Sequence, residues 1–302
     1  MFRASRYVGT IISLCLFGAT FAAEMPSTSR GTGVRFRKVG GYLVVVRVTL
    51  DGKGPFDFVV DTGTNTTLID VELAAQLKLK PVGRQMLATL TGSQLATRYV
   101  AGLALGSHSS GDLVVLAQKL VVLAQKMDEL HAVDRRIRGL LGLDFLLRFA
   151  FLLDYGRQRM ELYDPTEAPN LEGGTRLPIK VAESRILITA SSTASVQNTW
   201  NLVLDSGIPK VFIFENRIVP LPDSHMQDDA IRFKTNLSRL STKTMTLPDL
   251  VIASRHLRDL LVVILPSSPS MQGSFEDGLL PAALFRRLLV NSQQGYSIFQ
   301  FD

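Results

Sequence analysis

Two short segments of the chain carry residue types suited to acid–base chemistry. In each, an acid ends an apolar run and is followed by a hydroxyl residue and a glycine. They are Asp61-Thr62-Gly63 in PFDFVVDTGTNTTLID (55–70) and Asp205-Ser206-Gly207 in TWNLVLDSGIPKVFIF (199–214). Two carboxylates brought to about 3 Å cannot both ionise and share one proton. One then serves as general base toward a held water while the other gives a proton to a carbonyl oxygen. The glycine after each acid lets one backbone approach the other with no Cβ in the way. Water is the nucleophile in such chemistry, so it needs no cysteine, no metal and no covalent intermediate.

Other chemistries are poorly supplied. His108, His131, His225 and His256 show no H-E-x-x-H spacing and no paired cysteines, which argues against a metal site. Ser206 lacks the G-x-S-x-G setting of a hydrolase nucleophile, and the stretch 139–143 lacks the glycine pattern of a dinucleotide loop. Asp144 and Asp154, which have apolar neighbours, are expected to cap a helix and close a hairpin turn instead of forming a second acid pair. Trp200, aligned with Phe56, is expected in the core.

An internal repeat must position Asp61 and Asp205. Besides the two segments above, LALGSHSSGDLVV (103–115) matches LVIASRHLRDLLV (250–262), and GLLGLDFLLRFAFLLDYG (139–156) matches GLLPAALFRRLLVNSQQG (278–295). Three blocks in one order mark a duplicated lobe. Runs such as 42–50, punctuated by Asp51-Gly52 and Gly54-Pro55, read as strands and hairpins. Between the second and third blocks the first lobe carries eight extra residues, and seven of them trace to a tandem copy: 113–119 is repeated as 120–126. An insertion of odd length in one strand swaps its two faces. One copy is therefore expected to stay in the sheet while the other bulges out or joins a helix running toward Arg135.

Composition bounds the rest. The chain has 302 residues, 46% hydrophobic and 20% charged, which excludes disorder and collagen-like repeats. The formal charge of +6 is scattered, with no run of five or six basic residues, so nucleic acid is not an expected partner. The single cysteine, Cys15, excludes a disulfide framework. It falls in residues 1–23, where Arg3 and Arg6 precede an apolar run (7–19) and a small-residue stretch (20–23), the layout of a signal peptide. An uncleaved anchor is the alternative, although the run is short for a span of roughly 20 residues. Cleavage removes Arg3 and Arg6, leaving a net charge of +4 and no cysteine. An exported protein without disulfides suits a bacterial periplasm. The expected organisation is a signal peptide (1–23), a linker (24–34), an N-terminal lobe (35–168) and a C-terminal lobe (175–302).

The duplicated triplets, together with Leu140-Leu141-Gly142, resemble the aspartic proteases of the pepsin and retropepsin superfamily over about residues 35–302. The arrangement of 139–165 looks most like bacterial exported, retropepsin-like members. The resemblance implies an all-β, bilobal acid-protease fold of two pseudo-twofold-related, barrel-like lobes with short helices. It also implies a peptide or protein substrate, no cofactor and no metal, with Asp61 and Asp205 as the catalytic pair. Thr62, Gly63, Thr64, Ser206 and Gly207 would support the active-site loops, the hydroxyls of Thr62 and Ser206 each bonding to backbone of the opposite lobe. The segment 88–93 reads as two β arms around a glycine turn. Its local sequence fits an ordinary surface hairpin equally well, and the resemblance implies a flap with Thr91, Gly92 and Ser93 at its tip.

Two departures fall in lobe two. Ile208 stands where Thr64 stands in lobe one, and the missing hydroxyl should leave Asp205 harder to ionise than Asp61. Leu279-Leu280-Pro281 replaces the apolar-apolar-glycine element, and a proline without an N–H should alter the turn that supports Asp205. Three readings follow from these features. The first is a monomeric endopeptidase with an intramolecular dyad, the second a homodimer using Asp61 from each chain, and the third a peptide-binding protein with a degenerate second lobe.

Overall fold

The computed structural model describes residues 32–89, 92–105, 115–125, 127–219, 242–266 and 275–301. The segment read as a signal peptide, most of the linker, Thr91, His108 and His225 lie outside these residues. The first strand, Thr32–Arg35, already begins within the stretch read as linker.

Among the described residues almost every regular element is a strand, in three sheets. An eight-stranded sheet built from residues 37–141 curls back on itself through contact between Leu43–Leu50 and Gly92–Leu105. A seven-stranded sheet built from residues 180–281 closes in the same sense through Ser191 and Val251. The third, of six strands, takes three from each half of the chain. At its centre Ala150–Asp154 runs antiparallel to Arg287–Asn291, with Phe151 opposite Val290. One apolar core runs through both halves, from Val44, Phe58 and Phe151 to Ile188, Leu202 and Val290. Trp200 is 1% exposed in it, and its indole N–H donates to the Arg217 carbonyl at 3.0 Å.

The repeat is visible in strand pairing. Lys53–Val60 lies parallel to Ile137–Leu141, and Thr199–Asp205 lies parallel to Gly278–Pro281. Leu68–Asp70 and Phe212–Phe214 then run antiparallel to those partners. Strands buried on both faces read as unbroken apolar runs, which is why each acid follows a continuous hydrophobic stretch.

The tandem copy behaves differently from the sequence expectation. Val115–Gln125 is one continuous strand holding residues of both copies, and the following helix, Asp128–Val133, begins only after the second. The added length instead falls in the connection before the strand. Residues 106–114 join Leu105 to Val115, whereas Ala253 and Ser254 alone join the equivalent strands of lobe two. Lengthening a connection costs little entropy, whereas expelling one copy would strip the strand of its ladder hydrogen bonds.

Candidate active site

Each acid sits where a buried strand meets a tight turn. Asp61 follows Lys53–Val60, and its N–H donates to the Leu141 carbonyl at 3.0 Å. Asp205 ends Thr199–Asp205 opposite Pro281. The glycine two residues on turns its N–H back to the acid, from Gly63 to Asp61 Oδ1 at 2.9 Å and from Gly207 to Asp205 Oδ1 at 2.7 Å.

The two turns meet face to face. A Cβ on Gly63 would lie 2.3 Å from Asp205 Oδ2, and one on Gly207 would lie 3.2 Å from Asp61 Oδ1. Each glycine therefore leaves room for the carboxylate of the other lobe. Between them the hydroxyls cross. Thr62 Oγ1 donates to the Leu204 carbonyl (2.8 Å) and accepts from Ser206 N–H (3.0 Å), while Ser206 Oγ donates to the Val60 carbonyl (2.7 Å) and accepts from Thr62 N–H (3.0 Å). Both side chains are fully buried.

Burial raises both carboxyl pKa values, because a charge is poorly solvated here. Asp61 accepts an N–H bond from Gly63, and the Thr64 backbone N–H also favours its ionised form. Asp205 is pushed up to about 8 by burial and then by the Asp61 charge, against the single N–H bond of Gly207. Arg185 lowers both. The asymmetry has the direction expected from Ile208 but another cause. The Thr64 hydroxyl donates to the Thr66 carbonyl at 3.3 Å, so it is the Thr64 backbone N–H that favours ionised Asp61. Ile208 is 7% exposed and packs with Leu187, Phe212, Val263 and Leu279.

Pro281 leaves the support of Asp205 in register, and the reason lies at three matched positions. In lobe one Gly142 N–H donates to Thr67 Oγ1 (3.1 Å), Thr67 Oγ1 donates to Asp144 Oδ1 (2.6 Å), and Thr67 N–H donates to Asp144 Oδ2 (2.9 Å). Asp144 is thus a strut for the Asp61 loop, while Gly142 takes the N-cap position expected of it. Lobe two has Val211, Pro281 and Ala283 at the matching places. Its proline offers no N–H, so no donor at that position is left seeking the missing hydroxyl. Asp154 closes its hairpin turn by accepting from Arg157 N–H at 2.8 Å, as expected.

This strut gives a first prediction. Asp144→Ala should destabilise the protein by about 2 kcal/mol, since it strands two donors of buried Thr67. In a Thr67→Val background the cost should shrink, and a double-mutant cycle by urea denaturation measures the difference.

Gly83–Thr89 and Gly92–Leu105 form an antiparallel hairpin with Thr89 opposite Gly92, at the place expected for the flap. Gly92 and Ser93 open its second strand, and Thr91 lies outside the described residues. Three residues near the acids escape a reading of the sequence. Arg185 is one, and Tyr42 and Tyr155 are the others. The phenols of Tyr42 and Tyr155 are raised by burial and then by the Asp205 charge, and the buried Tyr155 hydroxyl has no hydrogen-bond partner among the described residues.

Residues 46–145 match the aspartyl protease family model. The matched stretch holds Asp61, its turn and the Asp144 strut. No curated protein matches the chain by sequence. Among solved structures, basic 7S globulin from soybean is similar at a TM-score of 0.53 and 10% identity, over 90% of this chain and 95% of that one. Conglutin gamma, a basic 7S globulin from lupine seeds, scores 0.49 at 9% identity over 91% and 95%. A retropepsin-like aspartic protease from Rickettsia conorii scores 0.31 at 16% identity over 45% and 93%. The chain has the aspartic-protease fold: nearly all β, with two barrel-like lobes.

Proposed function

We propose that the protein is an aspartic endopeptidase that hydrolyses peptide bonds with a water held between Asp61 and Asp205 of a single chain. The observation that carries the reading is the interleaving of the two turns, in which each glycine faces the carboxylate of the other lobe. Asp61, favoured as the ion by the N–H groups of Gly63 and Thr64, is the base, and Asp205, pushed up to about 8, keeps the proton. Asp61 takes a proton from water as its oxygen adds to the carbonyl carbon, and Asp205 gives its proton to the carbonyl oxygen. In collapse the amine takes the proton from Asp61, the C–N bond breaks, and Asp205 recovers its proton from the diol. Gly207 and Ser206 of the same chain complete the site around Asp61, which supports a monomer over a dimer of two Asp61 residues. Export through residues 1–23 is part of the proposal.

Incubating the chain from residue 24 onward with a diverse peptide mixture from pH 3 to 8, and reading products by mass spectrometry, tests it. Cleavage should require the singly protonated pair, so it should fall as pH rises toward the Asp205 step at about 8 and again where acid protonates Asp61. Saturable binding without products would instead support the peptide-binding reading. Activity confined to dimers in sedimentation would support the homodimer.

A further inference from the structure

The strand Arg185–Ser191 pairs with Thr199–Asp205 in a register that sets Leu187 opposite Val203. Arg185 stands two residues before Leu187 and Asp205 two residues after Val203, so the two lie at the same end of the strand pair and on the face that Leu187 and Val203 share. In lobe one Val44 pairs with Val60, and the next residue on that strand, at the end where Asp61 follows Val60, is Leu43, 3% exposed. Lobe one thus has a buried leucine at this end of the strand pair, and lobe two has an arginine. The fold itself does not demand a cation at this point.

Arg185 makes no ion pair with Asp205 within 4 Å. Its Nε lies 2.9 Å from Glu276 Oε1, with side chains 32% and 13% exposed. Its charge nonetheless reaches both Asp61 and Asp205. A guanidinium carries five N–H donors in a planar fork, more than one carboxylate uses, and its geometry suits a second carboxylate. A peptide carboxylate approaching the dyad meets the negative charge that the pair carries, and a fixed cation one strand away offsets that repulsion.

We infer that Arg185, oriented by Glu276, is a specificity-determining residue that selects peptides bearing a carboxylate close to the dyad. The inference rests on the proposed peptide site and names its substrate class. Glu276 and an incoming carboxylate compete for the same guanidinium, so the two members of the ion pair have opposite effects on selection. A purely structural ion pair predicts the same effect from losing either member.

The test uses statine-centred, non-hydrolysable peptides in which each position flanking the statine is Glu, Gln or Lys, with the C-terminus free or amidated. Affinities are read by fluorescence anisotropy at low ionic strength. The wild type should bind a carboxylate-bearing peptide about tenfold more tightly than its Gln counterpart at one position. The free and amidated arms tell a side-chain carboxylate from a terminal one. Arg185→Gln should erase that preference, Arg185→Glu should turn it toward Lys, and Glu276→Gln should enlarge it. Statine peptides that bind the wild type with no such preference, or a preference that survives Arg185→Gln, overturn the inference and leave the peptide site intact. Failure of every statine peptide to bind the wild type overturns both.

Discussion

Asp61→Asn and Asp205→Asn should each lower kcat/KM for peptide cleavage by at least about 10³-fold, within the range that a positioned acid or base contributes. An amide fills nearly the same volume as a carboxyl and leaves the cross-linking hydroxyls in place, so the loss belongs to proton transfer and not to collapse of the turns. Stability separates the variants from mere damage. The folded pKa of Asp205 lies above its unfolded value, so its contribution is fully present below the unfolded pKa near 3.8 and is lost as pH rises toward about 8. Asp205→Asn removes that loss. Its melting temperature should equal or exceed that of wild type at pH 8, and the gap should close or reverse near pH 4. A fluorogenic peptide assay alongside thermal melts reads both effects. Full activity in Asp205→Asn would sink the intramolecular dyad.

The internal repeat makes the placement of that dyad legible in the amino-acid order itself. Asp61 and Asp205 recur at one offset within buried, unbroken apolar runs, and only the parallel pairing with Ile137–Leu141 and Gly278–Pro281 lets such runs end side by side. The support around each acid is harder to read. Pro281 looks like damage when judged by itself, because a proline lacks an N–H. Carrying the same offsets to Thr67 and Asp144 gives Val211 and Ala283, and the three changes then form one apolar substitute for a hydrogen-bonded strut. That comparison needs only the sequence, but nothing in the sequence says that Thr67, Gly142 and Asp144 touch. The Thr64 contribution is misjudged for a related reason: composition shows a hydroxyl, whereas what favours ionised Asp61 is a backbone N–H that every non-proline residue has. Arg185 carries no signal at all, since an arginine at the start of a strand is ordinary until pairing brings its end of the strand beside the end that carries Asp205.

Thr62→Val should cost the protein about 2 to 5 kcal/mol, a large share of the roughly 5–15 kcal/mol that holds a domain folded. The valine keeps the shape of threonine, so the change isolates the hydroxyl. Its loss leaves the Leu204 carbonyl and the Ser206 N–H buried with no partner, each costing about 1–3 kcal/mol. Ser206→Ala should act in the same way on the Val60 carbonyl and the Thr62 N–H. Because the four bonds close a ring between the two turns, loosening any one lets the carboxylates drift, and activity should fall along with stability. Thr62→Ser, which keeps the oxygen, should restore most of both, an outcome that a packing defect at the missing methyl would not produce. Urea denaturation distinguishes the possible failures. A lower midpoint with an unchanged slope means a weakened native state, whereas two separate transitions mean that the lobes have come apart and unfold independently. An unchanged midpoint in Thr62→Val would show that the crossed hydroxyls carry no tension between the lobes, and the spacing of Asp61 and Asp205 would then have to be held by the six-stranded sheet alone.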